Sequence, residues 1–228
     1  MLYDLLSVWF PRCCYGCGMV LPKKLPWLCF RCAAQLPRSY TERNINNPLK
    51  DLLDNRLPTK AAYAPFYFQQ QNPIQHLLHA LKYLGKKQLG AWFAAQAATF
   101  LPKNHPIYSC DAIVTVPLHP KRERQRGYNQ IDLFGKHWAA HLKVPYVHDF
   151  LVREKQTKTL VRMAQTARWE EVKDAFRLVG NKQYRHVLLV DDVITTGATL
   201  TACGQTLLAG GTKNLSVMAM AHTHQVLP

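Results

Sequence analysis

One stretch decides the fold of this chain: Val187-Leu-Leu-Val-Asp191-Asp192-Val-Ile-Thr195-Thr196-Gly197-Ala198-Thr199-Leu200. Its first four residues, 187–190, are all apolar, which is typical of a strand buried on both faces of a parallel sheet. Two carboxylates follow this strand, and a run of small residues then opens a helix. Because ligands of open α/β sheets bind outside the carboxyl ends of the strands, we expect a binding site here.

The small residues after the two carboxylates are suited to binding a phosphate. Gly197 permits a tight turn whose N–H groups converge on an anion, and the amino end of the following helix adds partial positive charge. Three hydroxyl groups add further donors: Thr195, Thr196 and Thr199. Asp191 and Asp192 suit the hydroxyls of a sugar that carries the phosphate, or a bridging Mg²⁺. A buried strand followed by an acidic helix cap is the alternative interpretation.

Length and charge narrow the classes of partner. The chain has 228 residues, 48% of them hydrophobic, which is enough for one medium domain and a small module. Lysine and arginine number 29 against 14 acidic residues, so the formal net charge of +15 favours a polyanionic partner. Residues 1–10 lack the features of a secretory signal, and no apolar run reaches the roughly 18 residues of a membrane span. We therefore expect a cytoplasmic protein without membrane insertion.

The cysteines are concentrated near the amino terminus, where five of the seven lie within residues 13–32. Two Cys-x-x-Cys pairs, Cys14 with Cys17 and Cys29 with Cys32, supply the four thiolates that a structural Zn²⁺ prefers. Since the protein fills all four positions, we expect the zinc to be structural. Cys13 is left over. A redox pair or a reduced cluster without metal is the alternative interpretation.

These features divide the chain into three parts. Residues 1–40 form the zinc module, and residues 41–60 form a polar linker with little to bury, in which a short helix near Leu49 to Leu53 is one interpretation. Residues 61–228 form an α/β domain with a parallel-sheet core. Within it, Asn72-Pro73 predicts a helix start, with the asparagine as cap and the proline as first residue.

A second informative stretch follows the apolar strand Ala112 to Val116 and is strongly basic. It reads Pro117-Leu-His-Pro120-Lys121-Arg122-Glu-Arg124-Gln-Arg126-Gly127-Tyr128-Asn129-Gln130. If this strand lies parallel to 187–190 and near it, both carboxyl ends face one crevice, where the cations would neutralise a pyrophosphate. The candidate pyrophosphate- or DNA-binding residues are Lys82, Lys121, Arg122, Arg124, Arg126 and Tyr128. A solvated basic turn before a helix from Asn129 to Leu142 is the alternative.

The first stretch resembles the phosphoribosyl-pyrophosphate (PRPP) signature of the type I phosphoribosyltransferases. That signature is a hydrophobic strand followed by Asp-Asp-x-x-Thr-Thr-Gly-x-Thr, and the match is complete. The resemblance implies that Asp191 and Asp192 hold the ribose 2′- and 3′-hydroxyls, with Asp192 as a catalytic carboxylate, and that Mg²⁺ accompanies PRPP. The residues implied to bind the 5′-phosphate are Thr195, Thr196, Gly197, Ala198 and Thr199.

The order of the motifs is similar to that of the ComF/GntX family. Members of that family combine, in this order, the motifs that stand here as two Cys-x-x-Cys knuckles, Leu81-Lys82-Tyr83, Val116-Pro-Leu, Arg126-Gly-Tyr-Asn-Gln130 and the PRPP signature. The resemblance covers nearly the whole chain. The middle loop departs from the family pattern Arg…Thr-x-x-Gln…Arg-x-x-Asn. Three positions match, Arg153, Thr157 and Arg168, but Leu160 and Glu171 stand where Gln and Asn are usual. We therefore carry no role onto residues 160 and 171.

The family resemblance implies a function in natural transformation. The protein would handle incoming single-stranded DNA in the cytoplasm beside a competence helicase and other competence proteins, with a pocket for PRPP or a 5′-phosphoribosyl end. Aromatic residues next to cations, such as Tyr83 after Lys82, favour strand binding. The alternative is an active phosphoribosyltransferase that transfers the ribosyl group of PRPP to a nucleobase-like acceptor. Whether the protein is an enzyme stays open, because no segment that would grip a base is evident.

Overall fold

The structure is a computed structural model that describes residues 11–118, 120–154 and 175–223. The predictions about residues 1–10 and about the family-pattern positions Thr157, Leu160, Arg168 and Glu171 lie outside these ranges. The described strands are β1 (Ala61–Tyr63), β2 (Phe66–Phe68), β3 (Ala112–Thr115), β4 (Tyr146–Val147), β5 (Leu151–Arg153), β6 (Phe176–Leu178), β7 (His186–Ile194) and β8 (Asn214–Thr223).

A parallel sheet forms the centre of the fold, in the order β1-β8-β7-β3-β4, and β2 also pairs with β8. The remaining two strands, β5 and β6, form a separate antiparallel pair. The described helices are α1 (Phe30–Ala34), α2 (Pro48–Asp54), α3 (Pro73–Tyr83), α4 (Gln88–Phe100), α5 (Pro120–Arg126), α6 (Asp132–Leu142) and α7 (Ala198–Ala209), with a 3₁₀ turn over Pro106–Ser109. Within these ranges, no helix is long and apolar enough to cross a membrane.

The strand that carries the Asp-Asp pair occupies the middle of the sheet, between β3 and β8. Residues 187–190 are fully buried, which confirms the predicted buried parallel strand. The predicted end at Val190 is wrong, because β7 continues to Ile194 by pairing with β8 as far as His222. The two carboxylates therefore lie on the strand itself.

The predicted neighbourhood of the two apolar strands is confirmed. β3 pairs with β7 in parallel, with Thr115 opposite Val190, so both carboxyl ends face the same edge of the sheet. The basic segment after β3 is not a turn but the short helix α5, and the following helix begins at Asp132 rather than Asn129. At the start of α3, the predicted cap is also confirmed: the Asn72 side chain accepts a hydrogen bond from the N–H of Gln75.

Residues 41–60 are packed against the sheet, and the expectation that they have little to bury is wrong. Leu49 and Leu53 lie one helical turn apart on α2, and Leu57, just after the end of that helix, is buried as well. The predicted short helix is confirmed as α2. The side-chain amide of Asn47 accepts from the N–H of Leu49 and donates to the carbonyl oxygen of Ala62 in β1, 3.1 Å away. The hydrogen bond to Ala62 joins the segment to the sheet. The division of the chain into residues 1–40, 41–60 and 61–228 stays a prediction.

The leucines of this segment reach the loop and helix after β7. A Cβ on Gly197 would lie 2.7 Å from Cδ2 of Leu53, and a Cβ on Gly204 would lie 2.5 Å from Cδ2 of Leu57. Only glycine leaves room for these contacts. The segment therefore supports the residues that follow the two carboxylates.

Replacing Leu57 tests whether this segment is part of the folded unit. We expect Leu57→Ala to lower the free energy of unfolding by about 2–5 kcal/mol, because it opens a cavity under α7. The matched control is Leu84→Ala at a side chain that is 54% exposed, where we expect a change of about 0.5 kcal/mol or less. Urea unfolding measures both, and equal small losses would contradict the packing described here.

Candidate functional site

Two cavities open at the carboxyl edge of the sheet and meet at the Asp-Asp pair. The first has a volume of about 750 Å³ and the second of about 670 Å³. Five residues line both: Lys82, Asp191, Asp192, Val193 and Thr199. The two carboxylates therefore lie between two spaces, each large enough for part of a small ligand.

Asp192 is buried and held by two partners from distant parts of the chain. The ammonium Nζ of Lys82, on α3, lies 2.9 Å from its Oδ2, and the amide Nε2 of Gln130 donates to the same oxygen over 2.5 Å. Burial raises the pKa of Asp192, but Lys82, Gln130 and the guanidinium of Arg126 lower it by a larger amount. The pKa of Asp192 therefore lies below its ordinary value. Asp192 is thus the ionised member of the pair.

Asp191 is in the opposite electrostatic situation. Burial raises its pKa, and the adjacent negative charge of Asp192 raises it further, to about 7. Its Oδ1 accepts a hydrogen bond from the N–H of Asp192 over 2.7 Å. The pKa values of these neighbouring carboxylates are therefore shifted in opposite directions, because Lys82 and Gln130 contact Asp192 directly.

The predicted phosphate-binding residues, Thr195, Thr196, Gly197, Ala198 and Thr199, all line the second cavity. Gly197 has a φ of 71°, in the left-handed region that favours glycine, and α7 begins directly after it. Glycine has no side chain to cap the first N–H groups of this helix. The turn can therefore offer those N–H groups to an anion.

The structure separates the predicted cations into two groups. Arg122 and Arg126 lie four residues apart on α5 and line the first cavity, together with Lys82. Lys121 and Arg124 are exposed and are not among the residues that line it. Helical spacing thus directs two of the four predicted cations of α5 towards the first cavity.

Two further residues at this cavity, Gln130 and Arg153, have no role predicted from the sequence. Gln130 connects Arg126 to Asp192, since its Oε1 accepts from Nη1 of Arg126 over 2.7 Å while its Nε2 donates to Asp192. Arg153, at the end of β5, also lines the cavity. The available signal for both was the family pattern, in which Gln130 closes the Arg-Gly-Tyr-Asn-Gln segment and Arg153 opens the middle loop.

The two aromatic residues beside the basic segment differ in exposure. Tyr128 is half-buried, its hydroxyl donates to the carbonyl oxygen of Leu81, and Nζ of Lys87 lies 4.6 Å from its ring centroid. Tyr83 is 62% exposed, and the guanidinium of Arg126 lies 5.0 Å from its ring centroid. Both line the first cavity, but Tyr128 joins α3 to the segment after α5, whereas Tyr83 presents its ring to solvent.

The four predicted cysteines, Cys14, Cys17, Cys29 and Cys32, come together, with their sulfur atoms all within 4.8 Å of one another. The backbone N–H groups of Gly16 and Cys29 each donate to Sγ of Cys14 over 3.3 Å. Burial raises the pKa of Cys14, but N–H groups of Cys29, Cys17 and Gly16 lower it more, to about 6. This set of converging thiols with N–H support fits a structural metal such as zinc. Cys13 is exposed and lies outside the cluster.

The cysteine cluster contacts the helix that carries Lys82. Nδ1 of His76, on α3, lies 2.8 Å from the carbonyl oxygen of Tyr15, and a Cβ on Gly16 would lie 3.4 Å from Cγ of Pro73. α3 therefore has the cysteine cluster at its amino-terminal half and the Asp-Asp pair at its carboxyl end.

A substitution at Gly16 tests whether close packing around the four cysteines determines their affinity for zinc. A Cβ at this position would lie 2.6 Å from Sγ of Cys32, so we expect Gly16→Ala to weaken zinc affinity roughly 10- to 100-fold. The control is Gly18→Asn, because Gly18 has a φ of 75° that asparagine tolerates, with nothing within 4 Å of an added Cβ. Zinc released to a chelator measures the effect, and equal retention in both variants would contradict it.

The two carboxylates should affect stability in opposite ways. The raised pKa of Asp191 means that wild-type stability falls as the pH rises from about 4 to about 7, so Asp191→Asn should become the more stable protein over that range. The lowered pKa of Asp192 contributes stability above its ordinary pKa, so Asp192→Asn should be the less stable protein at neutral pH. Urea unfolding at pH 5 and pH 8 measures both differences, and the same sign for the two variants would refute the assignment.

Comparison with known proteins agrees with this architecture. The phosphoribosyl transferase domain family matches residues 133–225. Orotate phosphoribosyltransferase from Aeropyrum pernix covers 75% of this chain and 79% of its own, at 13% identity and a TM-score of 0.34, which is too low to support a conclusion by itself.

Curated relatives, among them the following two, match this chain at the level of sequence. Competence protein F from Haemophilus influenzae is 30% identical over 220 residues, covering 91% of this chain and 89% of its own. The DNA utilization protein YhgH from Escherichia coli K12 is 32% identical over 173 residues, covering 74% of this chain and 72% of its own. With a parallel sheet of the phosphoribosyltransferase type and a relative of this identity along nearly its whole length, the chain belongs to the ComF family.

Proposed function

We propose that this protein handles single-stranded DNA during natural transformation and binds PRPP, or a 5′-phosphoribosyl end, in its two joined cavities. The observation that carries the proposal is the position of the Asp-Asp pair between an anion-binding turn and a basic cavity. The names of the relatives, competence protein F and DNA utilization protein, support the biological setting.

The two cavities supply complementary groups for the parts of PRPP. The turn 195–199 suits the 5′-phosphate, and the carboxylates of Asp191 and Asp192 can accept hydrogen bonds from ribose hydroxyls. The cations Lys82, Arg122 and Arg126 face the first cavity, where a pyrophosphate would lie. The same carboxylates are the oxygen donors that Mg²⁺ accompanying PRPP would meet.

The exposed surface beside the first cavity suits an unpaired strand. Tyr83 presents an open ring next to Arg126, and Lys86 and Lys87 follow in an exposed turn. Cations that follow a backbone, combined with aromatic rings that stack on bases, bind single strands without reading their sequence. The formal net charge of +15 also favours binding of the phosphate backbone of a strand.

The cysteines support a reducing compartment. All seven have free thiols, including the exposed Cys13. We accordingly place the protein in the cytoplasm, where it would receive strands beside a competence helicase and other competence proteins. In that setting the four-cysteine cluster holds zinc as a structural ion.

An active phosphoribosyltransferase is the second candidate, because the Asp-Asp pair and the phosphate-binding turn are both present. Asp192 stays ionised beside the site where the ribose would lie, so its charge would stabilise positive charge developing on the sugar as pyrophosphate leaves. Release of pyrophosphate from Mg-PRPP only when a particular base is added would favour this activity.

The first experiment measures binding of a dye-labelled single-stranded oligonucleotide across salt concentrations, with and without Mg-PRPP. We expect log affinity to fall with log salt by about 0.7 for each phosphate neutralised, and Mg-PRPP to change the affinity. Combining Asp191→Asn with Asp192→Asn should abolish the effect of Mg-PRPP. Tyr83→Ala should weaken strand binding by about 1–3 kcal/mol, whereas the neighbouring Leu84→Ala should not.

Each result decides a different part of the proposal. Absence of oligonucleotide binding at physiological salt would refute DNA handling and leave the basic residues to the PRPP site. An undiminished effect of Mg-PRPP on the double variant would refute the assignment of the pocket.

A further inference from the structure

A third cavity lies beside the phosphate-binding turn and is not used by the function proposed above. Its volume is about 350 Å³. Residues between positions 39 and 52 form one wall, and Tyr67, His222 and Thr223 form the other. Thr223 also lines the second cavity, so the two cavities adjoin at the carboxyl end of β8.

The lining of this cavity is mostly apolar and contains a few polar groups without full charges. Among the described residues that line it there is no lysine, arginine, aspartate or glutamate, in contrast to the first cavity with Lys82 and Arg122. Its lining includes the exposed residues Asn44 and Asn46 and the aromatic ring of Tyr67, whose centroid is 4.8 Å from that of His222. Such a lining suits a neutral planar ring with hydrogen-bonding edges, and it does not suit a phosphate.

Tyr40 lines the same cavity and has an unusual backbone conformation. Its φ is 56°, in the left-handed region that bulky residues rarely adopt, and its side chain is 45% exposed. The guanidinium of Arg43 lies 4.1 Å from its ring centroid, and that of Arg38 lies 4.8 Å away. Strained residues of this kind occur preferentially where a ligand is held.

The wall that carries Tyr40 and the asparagines is attached to the sheet by buried hydrogen bonds. The amide Nδ2 of Asn47 donates to the carbonyl oxygens of Thr41 and Ala62, each over 3.1 Å. Oγ1 of Thr41 donates to the carbonyl oxygen of Ala64 over 2.9 Å. These hydrogen bonds hold that wall of the cavity in place, and a pre-positioned wall lowers the entropy cost of binding.

We propose that the third cavity binds one unpaired nucleobase. The inference rests on the proposed function, since it identifies a base contact for the strand whose phosphates meet the basic residues. The base would contact the ring of Tyr40 beside Arg43, and the side-chain amides of Asn44 and Asn46 would hydrogen-bond to its edge, as asparagine does with bases elsewhere. Arg43, whose guanidinium lies 4.1 Å from the ring centroid of Tyr40, would supply a cation for a neighbouring phosphate.

The test compares two single-stranded oligonucleotides of equal length and charge, one carrying thymines and one fully abasic. The ratio of their dissociation constants isolates the contribution of the bases from that of the phosphates. Tyr40→Gly removes the ring at a position where glycine adopts the same φ without strain, and Asn46→Ala removes one amide. The control is Asn104→Ala, an exposed asparagine that precedes β3 and lies outside the lining of all three cavities.

We expect wild-type protein to prefer the thymine strand, and Tyr40→Gly to reduce this preference roughly 5- to 100-fold. Asn46→Ala should reduce it less, and Asn104→Ala should leave it unchanged. Thermal unfolding of Tyr40→Gly within a few degrees of wild type shows that the loss is not one of folding. An unchanged preference in both Tyr40→Gly and Asn46→Ala overturns a pocket for strand bases.

A second measurement separates failure of the pocket from failure of the proposed function. Saturation-transfer NMR detects contact between the protein and the ring protons of free thymidine or adenosine. If wild-type protein binds no strand, the proposed function fails, and a nucleoside signal that Tyr40→Gly abolishes then assigns the pocket to a free base. No nucleoside signal together with no effect on strand preference overturns the pocket altogether.

Discussion

The ion pair between Lys82 and Asp192 is the interaction on which the rest of the site depends. A buried carboxylate is costly unless a cation and further hydrogen bonds compensate for lost hydration, and here Lys82 and Gln130 provide both. These groups come from α3, from the segment before α6 and from β7, so one carboxylate connects three elements. The other half of α3 contacts the cysteine cluster through His76, which extends this set of contacts to the amino-terminal module.

The same ion pair makes the two adjacent carboxylates chemically different. Asp192 is ionised because its partners are positive or donate hydrogen bonds, whereas the pKa of Asp191 is raised by burial and by that neighbouring charge. The carboxylate of Asp192 thus lies between the turn 195–199 and a cavity with Lys82, Arg122 and Arg126. A negative group between two groups that attract anions matches a ligand whose phosphates are separated by a neutral sugar.

The segment from Ser39 to Leu57 has two structural functions. Its leucines pack beneath Gly197 and Gly204, where only glycine leaves room for them. Its polar residues form a wall of the third cavity, held to the sheet by Asn47. A stretch that is polar along most of its length thereby packs beneath the turn 195–199 and borders a neighbouring cavity.

The sequence by itself determined the buried strand 187–190, the turn after the Asp-Asp pair, the helix start at Asn72-Pro73 and the pairing of the four cysteines, since each depends on residue types at short spacing. Only the tertiary structure decided that β7 continues to Ile194, because that extension requires β8 as a partner. It also decided which cations face the carboxylates, and that Leu49, Leu53 and Leu57 are buried. Gln130 and Tyr40 likewise acquire their surroundings from residues far along the chain. The local sequence specifies the propensity of a segment to form a helix, a strand or a turn. Long-range contacts determine which neighbours each side chain meets.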